Sequence, residues 1–231
     1  MKELYTAVGR FEKRKGGHDK QHPVVLNGRK EHIPDIHEMM IWSTLNWRIL
    51  SRSQLERLYV KRLLEAGVPT EKSFADYLGR LLNCGLIVKG SGETDADAFY
   101  DLFAGLYILP INRNVFTNTA FFLKLTLLQG VPFTVANREV FGKDAYTADE
   151  KLVLKLTRQS LITTAELMKC VEEGATDISD DDKLTDALFT DDHTTSTTLL
   201  TDAKDFDCME PILTAVANLY LRKQIIFTTE G

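Results

Sequence analysis

Laid against itself, the chain repeats a helix-start signal: Ser53-Gln54-Leu55-Glu56 and Thr163-Thr164-Ala165-Glu166 stand 110 residues apart. Each has the capping-box form, in which a hydroxyl accepts from the amide three residues on and the glutamate reaches back. Before each lies an apolar-rich stretch of helical length, residues 36–49 and 147–159, and the later one has its own box, Thr147 to Glu150. At an offset of 139, Phe74, Leu82, Leu86, Ile87 and Val88 fall on Leu213, Leu221, Ile225, Ile226 and Phe227. Both copies therefore close on a helix followed directly by a β-rich run, and a tandem pair of related units is expected. The two offsets differ by 29 residues, which fall between the second and third helices of the later copy. Asp180-Asp181-Asp182, Asp191-Asp192 and a Thr/Ser run sit there, so a mobile or loosely packed acidic insertion is expected over about residues 175–207.

The first copy reads as three helices and a strand. Met39, Ile41, Trp42, Leu45 and Ile49 form a buried helix by run length, and a second starts at the Ser53 box and stops at Gly67. A third spans about residues 71–83, with Phe74, Tyr77, Leu78 and Leu81 on one face and Lys72, Ser73, Asp76 and Arg80 on the other. Leu86-Ile87-Val88-Lys89 then reads as a strand, and Gly90-Ser91-Gly92 as its turn. Upstream, residues 1–34 form a basic arm in which Asn27-Gly28 suits the centre of a hairpin turn. Downstream, residues 96–111 suit a fourth helix and residues 117–129 a fifth.

Three helices, a strand and a Gly-rich turn, together with the run Leu81 to Gly90 (L-x-x-x-G-L-I-V-K-G), resemble the winged-helix branch of the helix-turn-helix superfamily. The resemblance implies a mainly α fold with short β-wings, of the α+β class, with two winged-helix-like units at 35–95 and 147–231 joined by a helical connector at 96–146. It further implies a transcription regulator that binds double-stranded DNA with its third helix in the major groove and its wing over the backbone. Arg80 then faces guanine, and Lys72 or Ser73 a base or phosphate. Arg52 and Ser53 open the second helix, whose free amides attract phosphate, and Lys89 flanks the wing.

Charge divides along the same line. The 231 residues carry a formal charge of −5, but residues 1–92 hold 16 basic against 10 acidic side chains, whereas residues 93–231 hold 12 against 23. A basic first half suits DNA; the acidic second half would repel phosphate and is expected to serve dimerisation or a protein partner. The third helix of that half offers only Thr214, Asn218 and Arg222 outward, followed by Lys223.

Enzyme chemistry finds no foothold. P-loop, nucleophile-elbow, zincin and dinucleotide signatures are all absent, so neither catalysis nor a cofactor is expected. His18, His22, His32 and His37 lack the spacing of a metal site, and the acidic run lacks the central glycine and terminal glutamate of a calcium loop. Cys84, Cys170 and Cys208 show no C-x-x-C pair, and no apolar leader or membrane-length stretch is present, so a cytoplasmic protein is expected. A winged-helix protein-interaction module that does not bind DNA is the alternative reading.

Overall fold

The computed structural model describes residues 1–15, 21–111, 146–190 and 195–230, and these form a mixed α and β chain of the α+β class. The first unit grows from its caps. Asp35 accepts from the Glu38 amide and Glu38 bonds back, so α1 (Ile36–Leu45) starts directly after Pro34. Helix α2 (Arg52–Ala66) is capped by Ser51 with Gln54, not by Ser53 with Glu56. The reason lies next door: Leu50 forms a β-bridge with Tyr5, which holds the backbone extended up to Ser51 and fixes the cap there. Helix α3 (Phe74–Asn83) begins at a Ser73–Asp76 box, so Lys72 precedes the helix instead of lying on it.

The expected wing is replaced by a different pairing. Strand β5 (Ile87–Gly92) runs straight through Gly90-Ser91-Gly92 and pairs antiparallel with β1 (Lys2–Ala7), from Lys2 opposite Gly92 to Ala7 opposite Ile87. These glycines are not a turn. Helix α4 (Asp95–Phe103) lies so close over the strand that a Cβ on Gly90 would meet the Ala98 carbonyl oxygen and the Leu102 nitrogen at 2.4 Å. Residues 1–34 thus supply β1 to the first unit, followed by the meander β2 (Arg10–Lys15), β3 (Gln21–Asn27) and β4 (Lys30–His32). The hairpin loop between β3 and β4 is Gly28-Arg29, one residue beyond the expected pair, because Asn27 is drawn into the interior.

The second unit repeats the order. Strand β6 (Tyr107–Pro110) ends the stretch expected to be helical through residue 111, and pairs antiparallel with β7 (Ile225–Thr228). The helix expected at 117–129 lies outside the described residues. Helices α5 (Ala148–Thr157) and α6 (Thr164–Glu172) carry the Thr147–Glu150 and Thr163–Glu166 boxes as expected. Tyr107 bridges Thr163 as Tyr5 bridges Leu50, so in each unit the N-terminal strand lies between a bridge and the closing strand. Helix α9 (Met209–Leu221) ends as α3 does, with a left-handed residue two places past the helix: Gly85 (φ 67°) after α3, Lys223 (φ 60°) after α9.

These matching ends reset the repeat. From Ser51 to Thr163 the offset is 112, and from Gly85 to Lys223 it is 138. The extra residues are not a loose insertion. They build α7 (Asp181–Leu188) and α8 (Ser196–Asp202), whose Leu188 and Leu199, with Ile178 and Ala203, are buried in the second core. Lys169 on α6, itself buried, donates to Glu173 at 2.6 Å and to Thr190 at 3.0 Å and so ties the segment down. Few large apolar residues suffice here because they fall on one face of each short helix.

The cores meet at the turn between β1 and β2. Val8 and Gly9 donate backbone hydrogen bonds to Leu86 O and Phe227 O, one in each unit, and Trp42 Nε1 donates to Val8 O. Tyr220 of α9 sends its hydroxyl across the seam, where it accepts from Trp47 N at 3.0 Å and lies 2.8 Å from Thr6 Oγ1. Burial pushes this phenol up to about 12, so it stays protonated and can also donate to Ala7 O or Leu45 O. Replacing Tyr220 with Phe strands the Trp47 N–H in an apolar seam. A loss of about 2 kcal/mol is expected in urea unfolding, and a change under about 0.5 kcal/mol would contradict this account of the seam.

Candidate interaction surface

Whether the first unit can hold phosphate depends on which of its exposed cations are free of internal partners. Arg80 leaves α3 toward α1, where its Nε lies 3.1 Å from Glu38 and its Nη1 3.5 Å from Asp35. Glu38 is buried, so the guanidinium is the counter-charge for a carboxylate withdrawn from water, and pulling it away would leave that charge uncompensated. Ser73 is equally committed: it accepts from the Asp76 amide and donates to Asp76 Oδ2 at 2.6 Å. That bond holds the Asp76 carboxyl below its usual range and keeps an anion at the start of α3. The rest of the outward face offers Ala75, Gly79 and Asn83, none of which carries charge.

Lys89 projects from β5 and pairs with Glu3 of β1 at 3.3 Å. Glu3 also accepts from the Tyr5 hydroxyl, and that bond, with Lys89 and then Arg52, lowers its pKa. Arg52 and Lys89 therefore converge on one carboxylate, while Arg80 serves a different pair on α1. Ser53, inside the first turn of α2, lies 3.2 Å from Ser51 Oγ. Lys72, Arg52 and Arg57 are exposed and form no ion pair with a described residue; Lys61 reaches Glu65 only at 3.9 Å.

In the second unit Arg222 pairs at 3.1 Å with Glu150, a fully buried carboxylate, and Lys223 sits 5.6 Å from the Trp47 ring. Its surface carries the acids of α7 and the approach to α9, with Asp177 and Asp97 held at about 2 by bonds from Lys183 and Lys204 respectively. Asp97 and Asp177 thus stay charged at any physiological pH.

Chemistry beyond charge is sparse. Among the described residues no group of three or more His, Cys, Asp or Glu side chains is placed to hold a metal ion. His37 is buried, stacked on Tyr77 and hydrogen-bonded at both ring nitrogens to Tyr59 and the Pro69 carbonyl, which makes it a packed interior group. A cavity of about 820 Å³ opens between the meander, the end of α1 and the β6–β7 sheet, and Phe11, Met39, Trp42, Trp47 and Ile226 give it apolar walls. Among the described residues no carboxylate lines it and no titratable cluster converges on it.

Asn27, placed by the sequence in a hairpin turn, is buried at the seam, and Tyr220 and Trp47, which join it there, belong to no motif in the sequence. Comparison with protein-family models, with curated proteins and with solved structures finds no match. No helix of the described residues is long and apolar enough to cross a membrane.

Proposed function

We propose that this protein is a non-enzymatic, cytoplasmic interaction module built from two fused winged-helix-like units that bind protein through their outward helices. One observation carries the reading: the cations and hydroxyl at the positions a DNA-reading helix and wing would use are spent internally, Arg80 on Glu38 and Asp35, Ser73 on Asp76, Lys89 on Glu3. A protein that grips duplex needs several cations free to displace counterions from phosphate. The strand that would form a wing is instead paired by β1 and overlain by α4.

A second reading, DNA-binding regulation, draws support from Arg52, Arg57 and Lys61, which are exposed on α2. The two separate in a mobility-shift titration with mixed genomic fragments at about 50 mM salt, where phosphate contacts are strongest. The interaction-module reading expects no retarded band at micromolar protein. A shift that disappears in an Arg52→Ala, Arg57→Ala double variant would replace it with the regulator reading.

A further inference from the structure

The cavity of about 820 Å³ lies where the two units meet, and its size falls within the ~300–1,000 Å³ of pockets that hold small organic ligands. Its walls come from both sides of the seam: Arg10 and Phe11 of β2, Trp42 of α1, Asn46 and Trp47 just beyond that helix, and Ile226 of β7. Both tryptophans of the chain stand at it. Phe11, the one apolar residue of β2, is 43% exposed, so the wall holds an aromatic ring that neither core covers.

Trp47 is held here under strain. Its backbone has φ 56°, a region that bulky side chains rarely enter, and Lys223, the other non-glycine residue with a positive φ among the described residues, sits over its ring. The Tyr220 hydroxyl accepts from Trp47 N, and the indole N–H donates to Ile225 O at 3.3 Å, so the ring is fixed from two sides. A wall fixed in advance is one a ligand meets without first ordering it.

The polar groups then select the ligand. The Asn46 carboxamide has no hydrogen-bond partner among the described residues, and Arg10 is the only charged side chain among those that line the cavity. Arg10 pairs with Glu12 at 2.8 Å along the same strand, and an exposed pair of this kind holds weakly. Strand β2 carries Arg10, Lys13, Arg14 and Lys15 against Glu12 alone, and sharing Arg14 with Glu31 still leaves it net positive. This side of the cavity therefore draws an anion and repels a cation. We propose that the cavity binds a small organic monoanion, with an aromatic body against Trp42, Trp47 and Phe11 and one carboxylate or sulfonate group toward Arg10. The charge is single because the lining supplies one cation and the rest of the wall is mostly apolar. The site adds a ligand to the protein-binding reading and does not depend on it.

Anilinonaphthalene sulfonate has this form, and N-phenylnaphthylamine is the same ring system without the charge. Each is titrated into the full chain, where quenching of tryptophan emission locates the bound probe beside Trp42 and Trp47. The sulfonate is expected to saturate at one per chain with a dissociation constant of about 10 μM, with tryptophan emission falling in parallel. Arg10→Ala is expected to weaken the sulfonate about 10-fold and to leave the uncharged probe within about 2-fold. Ser43→Phe, at an exposed position of α1 on the cavity's edge, narrows the space and is expected to weaken both probes about 10-fold with an unchanged circular-dichroism spectrum. The proposal is overturned by a wild type that shows no saturable binding below about 100 μM. Equal losses of the two probes in Arg10→Ala, or undiminished binding of both in Ser43→Phe, overturn it as well.

Discussion

Asn27→Ala is expected to lower the stability of the whole chain by about 2–4 kcal/mol, the cost of removing four hydrogen bonds from one buried side chain. Asn27 is only 3% exposed, and its carboxamide fills its full hydrogen-bonding capacity. The amide nitrogen donates to the Gly85 carbonyl at 2.9 Å and to Thr229 Oγ1 at 2.7 Å, and the oxygen accepts from Thr228 Oγ1 at 2.8 Å and Thr229 N at 3.1 Å. Three segments meet on this one side chain: the meander, the end of α3 and the end of β7. Alanine removes all four bonds, and of the groups it leaves only Thr228 is buried. Urea unfolding followed through Trp42 and Trp47 reads the loss, since both indoles donate across or near the same seam. A change below about 1 kcal/mol would mean that the seam does not hold the units together, and the cooperative single transition expected of the wild type would then split in two.

Gly9→Ala is expected to be more damaging still, reducing the folded fraction to the point where purification yields little native protein. The backbone at Gly9 has φ +87°, a region that side chains other than glycine rarely enter, and an added Cβ would stand 2.4 Å from the Leu26 carbonyl oxygen. Strain of about 1–3 kcal/mol and an overpacking cost of similar size fall on the same residue. Relief by backbone movement would break the Gly9 N–H bond to Phe227 O, which ties β1–β2 to the second unit. Gly67→Ala supplies the control. Gly67 has φ +61° at the end of α2 but open space around its Cβ position, so only the backbone cost of about 1 kcal/mol is expected. Equal melting temperatures for the two variants would refute the assignment of the larger effect to the seam.

Local chemistry was the legible part of this fold. The Thr147–Glu150 and Thr163–Glu166 boxes mark helix starts because a cap is satisfied within four residues and needs nothing from the rest of the chain. Ser53-Gln54-Leu55-Glu56 has the same local form and is not a cap, since the bridge between Tyr5 and Leu50, contacts 45 residues apart, settles the matter two residues earlier. Gly90-Ser91-Gly92 shows the same limit. Glycine is equally at home in a turn and under a closely packed helix, and only the position of α4 distinguishes them. Arg80 and Lys89 were legible as exposed cations on a plausible face; their partners Glu38 and Glu3 were not, because ion pairs 42 and 86 residues apart leave no periodic trace.

The sequence by itself determined where most of the described helices begin and that basic and acidic charge divide between the halves. Tertiary structure alone decided that each unit takes its central strand from the residues before its helices, that α7 and α8 pack as part of the second core, and that Arg80 and Lys89 pair with carboxylates. The physical reason is range. Caps and amphipathic spacing are written within one or two helical turns, whereas strand partners, charge partners and buried amides such as Asn27 are chosen by whatever the folded chain brings within about 3 Å.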